Sequence, residues 1–249
     1  MKYYFIHIPK TAGMTIEKVF WDYLKVNVGH SFFRNKQNFK RNLKEKYKFL
    51  KISNHHIPIN FLNKEFTKKL FEYNSLVIVR NPYDRIVSVF KFWIKFIDQH
   101  KNTKDKHYKK LIKKVNILYD SFEISKQNLN NFIKKVLSDN KNKYSLDGHL
   151  LPMYLYVYVN IDGVLKKVPQ YILKFENLNN EFNKFKNENN LNIPDDILNE
   201  ISINKAYNTD IRRKHLDDES IRLINNYYKL DFKYFNYDIH LPKHVPRIV

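Results

Sequence analysis

Phe5-Ile6-His7-Ile8-Pro9-Lys10-Thr11-Ala12-Gly13-Met14-Thr15-Ile16-Glu17-Lys18 decides how this chain is read. A β-favouring, mostly apolar run from Lys2 to Ile8 is interrupted at Pro9, and Ile16, Val19, Phe20 and Tyr23 then recur at helical spacing, which predicts strand, loop, helix. Lys10, Thr11, Ala12 and Gly13 form the turn between them. A helix N-terminus offers unpaired backbone N–H groups and a partial positive charge. Gly13 lets a ligand approach the backbone closely, and Lys10 adds a full charge, so the turn has the chemistry of a phosphate loop. Thr11 and Thr15 add hydroxyl donors. The same spacing also suits an ordinary strand-to-helix turn with a solvated lysine.

A second segment repeats the pattern. Leu76-Val77-Ile78-Val79 is a four-residue apolar run suited to a buried central strand, and Arg80 stands at its carboxyl end, where open α/β sheets bind their ligands. Asn81 can cap and Pro82 can open a long helix whose buried face is marked by Ile86, Phe90, Trp93 or Ile94, and Ile97. A guanidinium at that rim suits bidentate bonding to phosphate, with Ser88 on the following helix as a second donor; a salt bridge from Arg80 to Asp84 and a packing role for Ser88 are the plainer alternatives.

Neither segment fits a nucleotide triphosphatase. Lys10 precedes Gly13, whereas the triphosphatase loop GxxxxGK[ST] places Lys after its second Gly. The strand that would carry a magnesium-binding carboxylate ends instead in Arg80. Cation replaces carboxylate, which favours a phosphate held directly by protein cations without a metal.

The remaining chain is read more coarsely. An exposed helix is expected around Asn38 to Leu50, a helix capped by Asn60 running to about Phe71, and weakly amphipathic helices near Tyr108 to Tyr119 and Leu129 to Leu137. A third strand is expected at Tyr171 to Phe175, a helix at Leu178 to Asn187, and another at Ser220 to Tyr228 behind Asp217, Asp218 and Glu219. Phe232, Phe235 and Tyr237 read as core. The 249 residues hold no Cys, so disulfides, thiol nucleophiles and thiolate metal sites are all excluded. Net charge is +20, which implies attraction to a polyanion, a phosphate-rich ligand or an anionic surface and leaves a non-catalytic polyanion- or nucleic-acid-binding module as the alternative function, although the Lys- and Asn-rich composition also fits drift from AT-rich coding. No apolar stretch reaches the length of a membrane span, so the chain is expected to be soluble.

The segments His7 to Gly13 and Arg80 to Ser88 resemble the two cofactor motifs of the PAPS-dependent carbohydrate sulfotransferases, the Golgi-type family that includes heparan sulfate 2-O-sulfotransferases. His149-Leu150-Leu151-Pro152, Ile172 to Leu178 and Tyr228 to Tyr237 follow in that family's order; residues 98–148 are not covered. The resemblance implies an α/β fold, a P-loop-like three-layer sandwich with a central, mostly parallel sheet flanked by helices, here with a Lys/Asn-rich helical excursion, all in one domain spanning 1–249. It implies that Lys10, Thr11, Ala12, Gly13, Met14 and Thr15 bind the 5′-phosphosulfate of PAPS (3′-phosphoadenosine 5′-phosphosulfate), that Arg80 and Ser88 bind its 3′-phosphate, and that Asn204 and Lys205 approach the nucleotide. PAP (3′-phosphoadenosine 5′-phosphate) is the implied product, no metal is needed, and the acceptor is a hydroxyl, expected on a glycan or glycolipid, not a specific nucleic acid. Met14 departs from the family's small hydroxyl residue and Met153 from its usual Gln. Relatives in eukaryotes carry a membrane anchor; a bacterial, viral or truncated form acting in the cytoplasm is expected here.

In-line sulfuryl transfer needs a cation at the departing oxygen, the role expected of Lys10, and a base for the acceptor hydroxyl. Within Ser53-Asn54-His55-His56-Ile57-Pro58, the family register selects His56 as the base, with His55 as the reserve. Glu17 is a weaker alternative. His7 is expected to pack or bond within its own strand.

Overall fold

In the computed structural model, residues 3–25, 43–48, 52–139, 142, 144–195, 197–201 and 209–241 are described. In chain order the elements are β1 (Tyr3–Ile6), α1 (Gly13–Leu24), α2 (Lys64–Leu70), β2 (Asn74–Val79), α3 (Pro82–His100), α4 (Lys106–Asn116) and α5 (Lys126–Ser138). They continue as α6 (Tyr154–Val157), β3 (Tyr158–Ile161), β4 (Val164–Lys167), β5 (Tyr171–Lys174), α7 (Leu178–Glu188), α8 (Ile197–Glu200), α9 (Asp218–Tyr227) and α10 (Lys229–Phe235). The class is α/β, as the sequence leads one to expect. Two compact units divide the chain: Met1–Arg80 with Met153–Asn204, and Asn81–Pro152 with Lys205–Val249.

The first unit is built on a parallel sheet of order β1–β2–β5. Beyond their first residues β1 and β2 are buried on both faces, which is why they read as continuous runs and not as alternating ones. On one face Phe5, Leu76, Ile78 and Leu173 pack with Ile16, Val19 and Phe20 of α1, Phe182 and Phe185 of α7, and Ile197 and Leu198 of α8. Removing each such side chain from water is worth about 1.5–3 kcal/mol, enough to fix which side of each helix faces the sheet. Tyr4, Ile6, Val77 and Val79 alternate to the other face and are equally buried.

Two local expectations need correction in this unit. The cap of α2 is Asn63, whose side chain accepts from the Phe66 N–H at 2.9 Å, and not Asn60. Residues Ile59–Phe61 form a separate 3-10 turn, and Asn60 donates to the carbonyl of Tyr158, the first residue of the hairpin β3–β4, at 3.0 Å. That hairpin went unread in the sequence although Asp162-Gly163 is its two-residue turn, with φ of 53° and 82°. Of the exposed helix expected around Asn38 to Leu50, only residues 43–48 are described, and there Glu45–Tyr47 is a single 3-10 turn.

The second unit is helical. Asn81 caps α3 by accepting from the Tyr83 N–H at 3.0 Å, and Pro82 takes the first helical position. Ile86, Phe90, Trp93, Ile94 and Ile97 are all buried, against Leu129, Phe132 and Ile133 of α5 and Ile224 of α9. Among the described residues no helix is long and apolar enough to cross a membrane.

Candidate functional site

Because β1, β2 and β5 are parallel, their carboxyl ends share one edge, with Ile6 beside Val77 and Val79 beside Lys174. The residues that leave that edge are the ones the sequence singled out. Arg80 follows β2, and its guanidinium lies over the Phe175 ring, 4.1 Å from the centroid, just beyond β5. Its Nη1 donates to the Lys10 carbonyl at 3.2 Å, so the loop after β1 and the residue after β2 meet. The Arg80 N–H donates to the sulfur of buried Met153 at 3.4 Å, which gives the departure from Gln at that position a structural use.

The loop itself is tightly wound. Lys10 (φ 68°) and Ala12 (φ 71°) are both left-handed, which costs a non-glycine residue about 1–2 kcal/mol each. Backbone of this kind turns successive amides toward one side and makes anion-binding nests. Thr11 is fully buried and its hydroxyl donates to the Ile8 carbonyl at 2.9 Å, holding the loop closed. The Ala12 carbonyl accepts from the N–H groups of Thr15 (3.0 Å) and Ile16 (3.3 Å), which starts α1 without a capping side chain. Thr15 is buried, and Met14 is exposed on the first turn.

Three imidazoles gather beside this loop. His55 and His56 close a 3-10 turn over Asn54–His56, with ring centroids 4.0 Å apart. The His7 ring lies 5.5 Å from that of His55 and 5.3 Å from that of His56. His56 is buried, and its carbonyl accepts from the Tyr156 hydroxyl at 2.7 Å, which fixes the turn against α6. His7 is buried, in keeping with the packing expected of it. It sits just past the end of β1, and its Nδ1 is 2.9 Å from Glu17 Oε1 on α1. Gly13 makes room for the ring: a Cβ there would lie 2.7 Å from His7 Cε1. No local sequence signal announces this pair, because the partners are ten residues apart and meet only when the loop folds back.

The other candidates are placed less informatively. Ser88 is half-buried on α3, in the second unit, where Asp84 pairs with Arg213 at 3.3 Å. His149 belongs to the same unit, buried and stacked on Phe92. Asn204 and Lys205 lie outside the described residues.

Residues 2–238 match the Sulfotransferase family, a span that takes in both motif turns, the histidine segment between them and also residues 98–148, which the motif resemblance does not reach. No curated protein and no solved structure matches the chain. A match over nearly the full length joins the parallel sheet, the wound loop after β1 and the arginine after β2 in one assignment: the chain belongs to the sulfotransferase family, whose reaction moves a sulfuryl group onto a hydroxyl-bearing acceptor.

Proposed function

We propose that this protein transfers the sulfuryl group of PAPS to a hydroxyl of a carbohydrate, a glycan or glycolipid, by in-line displacement. The observation that carries the reading is the bond from the Arg80 guanidinium to the Lys10 carbonyl, which sets two cationic residues on one edge of the sheet. One nucleotide that is anionic at both its 3′ and 5′ ends can then be held by both. Lys10 to Thr15 take the 5′-phosphosulfate and Arg80 the 3′-phosphate; Ser88 joins Arg80 on the strength of the sequence motif, and Asn204 and Lys205 on family likeness. The family match runs through both units and supports treating 1–249 as one sulfotransferase domain.

The step balances without a metal. The acceptor oxygen forms a bond to sulfur, the bond from sulfur to the 5′-phosphate oxygen breaks, and PAP departs with the electron pair while His56 takes the hydroxyl proton. Lys10 offsets charge growing on the bridging oxygen, and the loop amides hold the equatorial oxygens. His55 is the alternative base in the same turn. In assays of labelled sulfate transfer from PAPS to a panel of glycans, His56→Ala is expected to lower turnover about 100-fold or more with PAP affinity retained. Transfer to no acceptor in the panel, or unchanged turnover in both His56→Ala and His55→Ala, would overturn the reading.

One observation favours a second, non-catalytic reading, binding of a polyanion. Lys106, Lys109, Lys110, Lys113 and Lys114 of α4 are all exposed, and at about 100° per residue they occupy one arc of the helix. Among the described residues none of the five is paired with a carboxylate, and Val115 on the opposite side is buried. An acidic acceptor chain would use such a face alongside catalysis.

A further inference from the structure

Glu17 and His7 call for an explanation that packing does not supply. Their side chains are only 14% and 7% exposed, and a carboxylate taken out of water needs a partner. Any donor would satisfy that need. What the fold provides is an imidazole wedged between Gly13 of the wound loop and the two rings of the 55–56 turn. An ionised carboxylate only accepts hydrogen bonds, so Nδ1 of His7 carries the hydrogen, and in the neutral ring Nε2 is left as the basic atom. A carboxylate fixing the tautomer of an imidazole in this way is the arrangement by which a base is oriented and its charged form stabilised.

Resting on the sulfuryl-transfer reading above, we infer that Glu17 and His7 are the charge-holding end of the site's acid–base group: the proton that His56 lifts from the acceptor hydroxyl passes to His7, where the imidazolium faces the Glu17 carboxylate. The balance is one proton moved and no electrons. The hydroxyl oxygen keeps its pair for the bond to sulfur, His56 returns to its neutral form, and the proton rests on His7 Nε2 until solvent removes it. Both are positioning residues, since they act through His56.

The surrounding charges explain why a second imidazole is useful. Glu17 on α1 favours a cation on His7. The positive end of α1, Lys10 in the loop, Arg80 after β2 and the rings of His55 and His56 all oppose a second one. Tyr4 on β1 adds no cation and no anion, because burial and the nearby Glu17 charge hold its phenol well above the ordinary tyrosine range. The Glu17 carboxylate thus favours holding the transferred proton on His7. Once solvent has taken the proton from His7, His56 is ready for the next acceptor hydroxyl.

The experiment is the pH profile of kcat for wild type, Glu17→Gln and His7→Gln, with PAP affinity measured in parallel. In Glu17→Gln the amide no longer favours the imidazolium, so the acid limb is expected to move to lower pH and kcat to fall about tenfold or more, with PAP affinity within about twofold of wild type. His7→Gln, which keeps a hydrogen-bonding group and loses the proton site, is expected to show a similar fall in kcat and decides the matter if Glu17→Gln does not fold. Wild-type kcat and an unmoved acid limb would reduce the pair to packing. Loss of PAP affinity in step with kcat in both variants would make it part of the donor loop, and would equally overturn the inference. Failure of the wild type to bind PAP is a different result, which sinks the donor reading itself.

Discussion

Gly13 shows how one residue couples stability to chemistry. It opens α1, and the His7 ring occupies the space a side chain would need. His7 cannot simply swing aside, because its Nδ1 is bound to Glu17 and two more rings flank it. Gly13→Ala is therefore expected to destabilise the fold by about 1–3 kcal/mol, read as a lower Tm, and to depress turnover by displacing His7. A Tm equal to that of wild type would mean that the ring has room to move. The glycine was legible from the sequence as a loop residue; its reason was not, since close approach by a ligand and close approach by an imidazole leave the same letter. Lys10 and Ala12 are the converse case, left-handed positions filled by residues that ordinarily avoid them, and nothing in their letters announces it.

At the scale of elements, the first turn of α9 can be tested by acid. Asp217 caps the helix by accepting from the Ser220 N–H at 2.8 Å, and Lys134 of α5 sits 2.8 Å from its other oxygen. Burial pushes this carboxyl up, but the bonds from Lys134 and Ser220 outweigh it and hold the group below its ordinary value. The unfolded chain then binds more protons between the folded value and about pH 4, so the stabilisation is present above about pH 4 and is lost as pH falls through the folded value. Asp217→Asn is expected to flatten the fall in Tm over that acid interval. An unchanged slope would show that the charge contributes nothing at this cap. The acidic run at 217–219 marked this helix in the sequence, whereas the bonds between Asn130 and the backbone of His215 and Asp217 that tie it to α5 depend on residues about 85 apart. Range decides legibility in the first unit too. Strand, loop and helix around residues 5–18 and 76–97 follow from local apolar patterns and capping letters, while the approach of Arg80 to Lys10 spans seventy positions and appears only once β1 and β2 are paired.

For the molecule as a whole, the +20 charge separates into two roles that salt can distinguish. Retention on a polyanionic matrix through the α4 lysines is expected to weaken steeply with added salt, and to fall when Lys109, Lys110 and Lys113 are changed to Ala, with Arg80→Ala having no effect. Retention that survives the triple substitution would assign the charge elsewhere. Donor binding is expected to behave in the opposite way, depending on Arg80 and on the 3′-phosphate of the ligand. The motifs that carry the family likeness lie outside the helices of 98–148, although the family match over residues 2–238 runs through those helices as well, and the acceptor is left to experiment.

If Lys10 and Arg80 hold one nucleotide between them, calorimetric titration with PAP will read it. Wild type is expected to bind PAP and to discriminate strongly against adenosine 5′-phosphate, which lacks the 3′-phosphate. Lys10→Ala and Arg80→Ala are each expected to weaken PAP about 10- to 100-fold, the scale of a charge-assisted bond. PAP affinity equal to wild type in Arg80→Ala, or equal binding of the two nucleotides by wild type, would contradict the account.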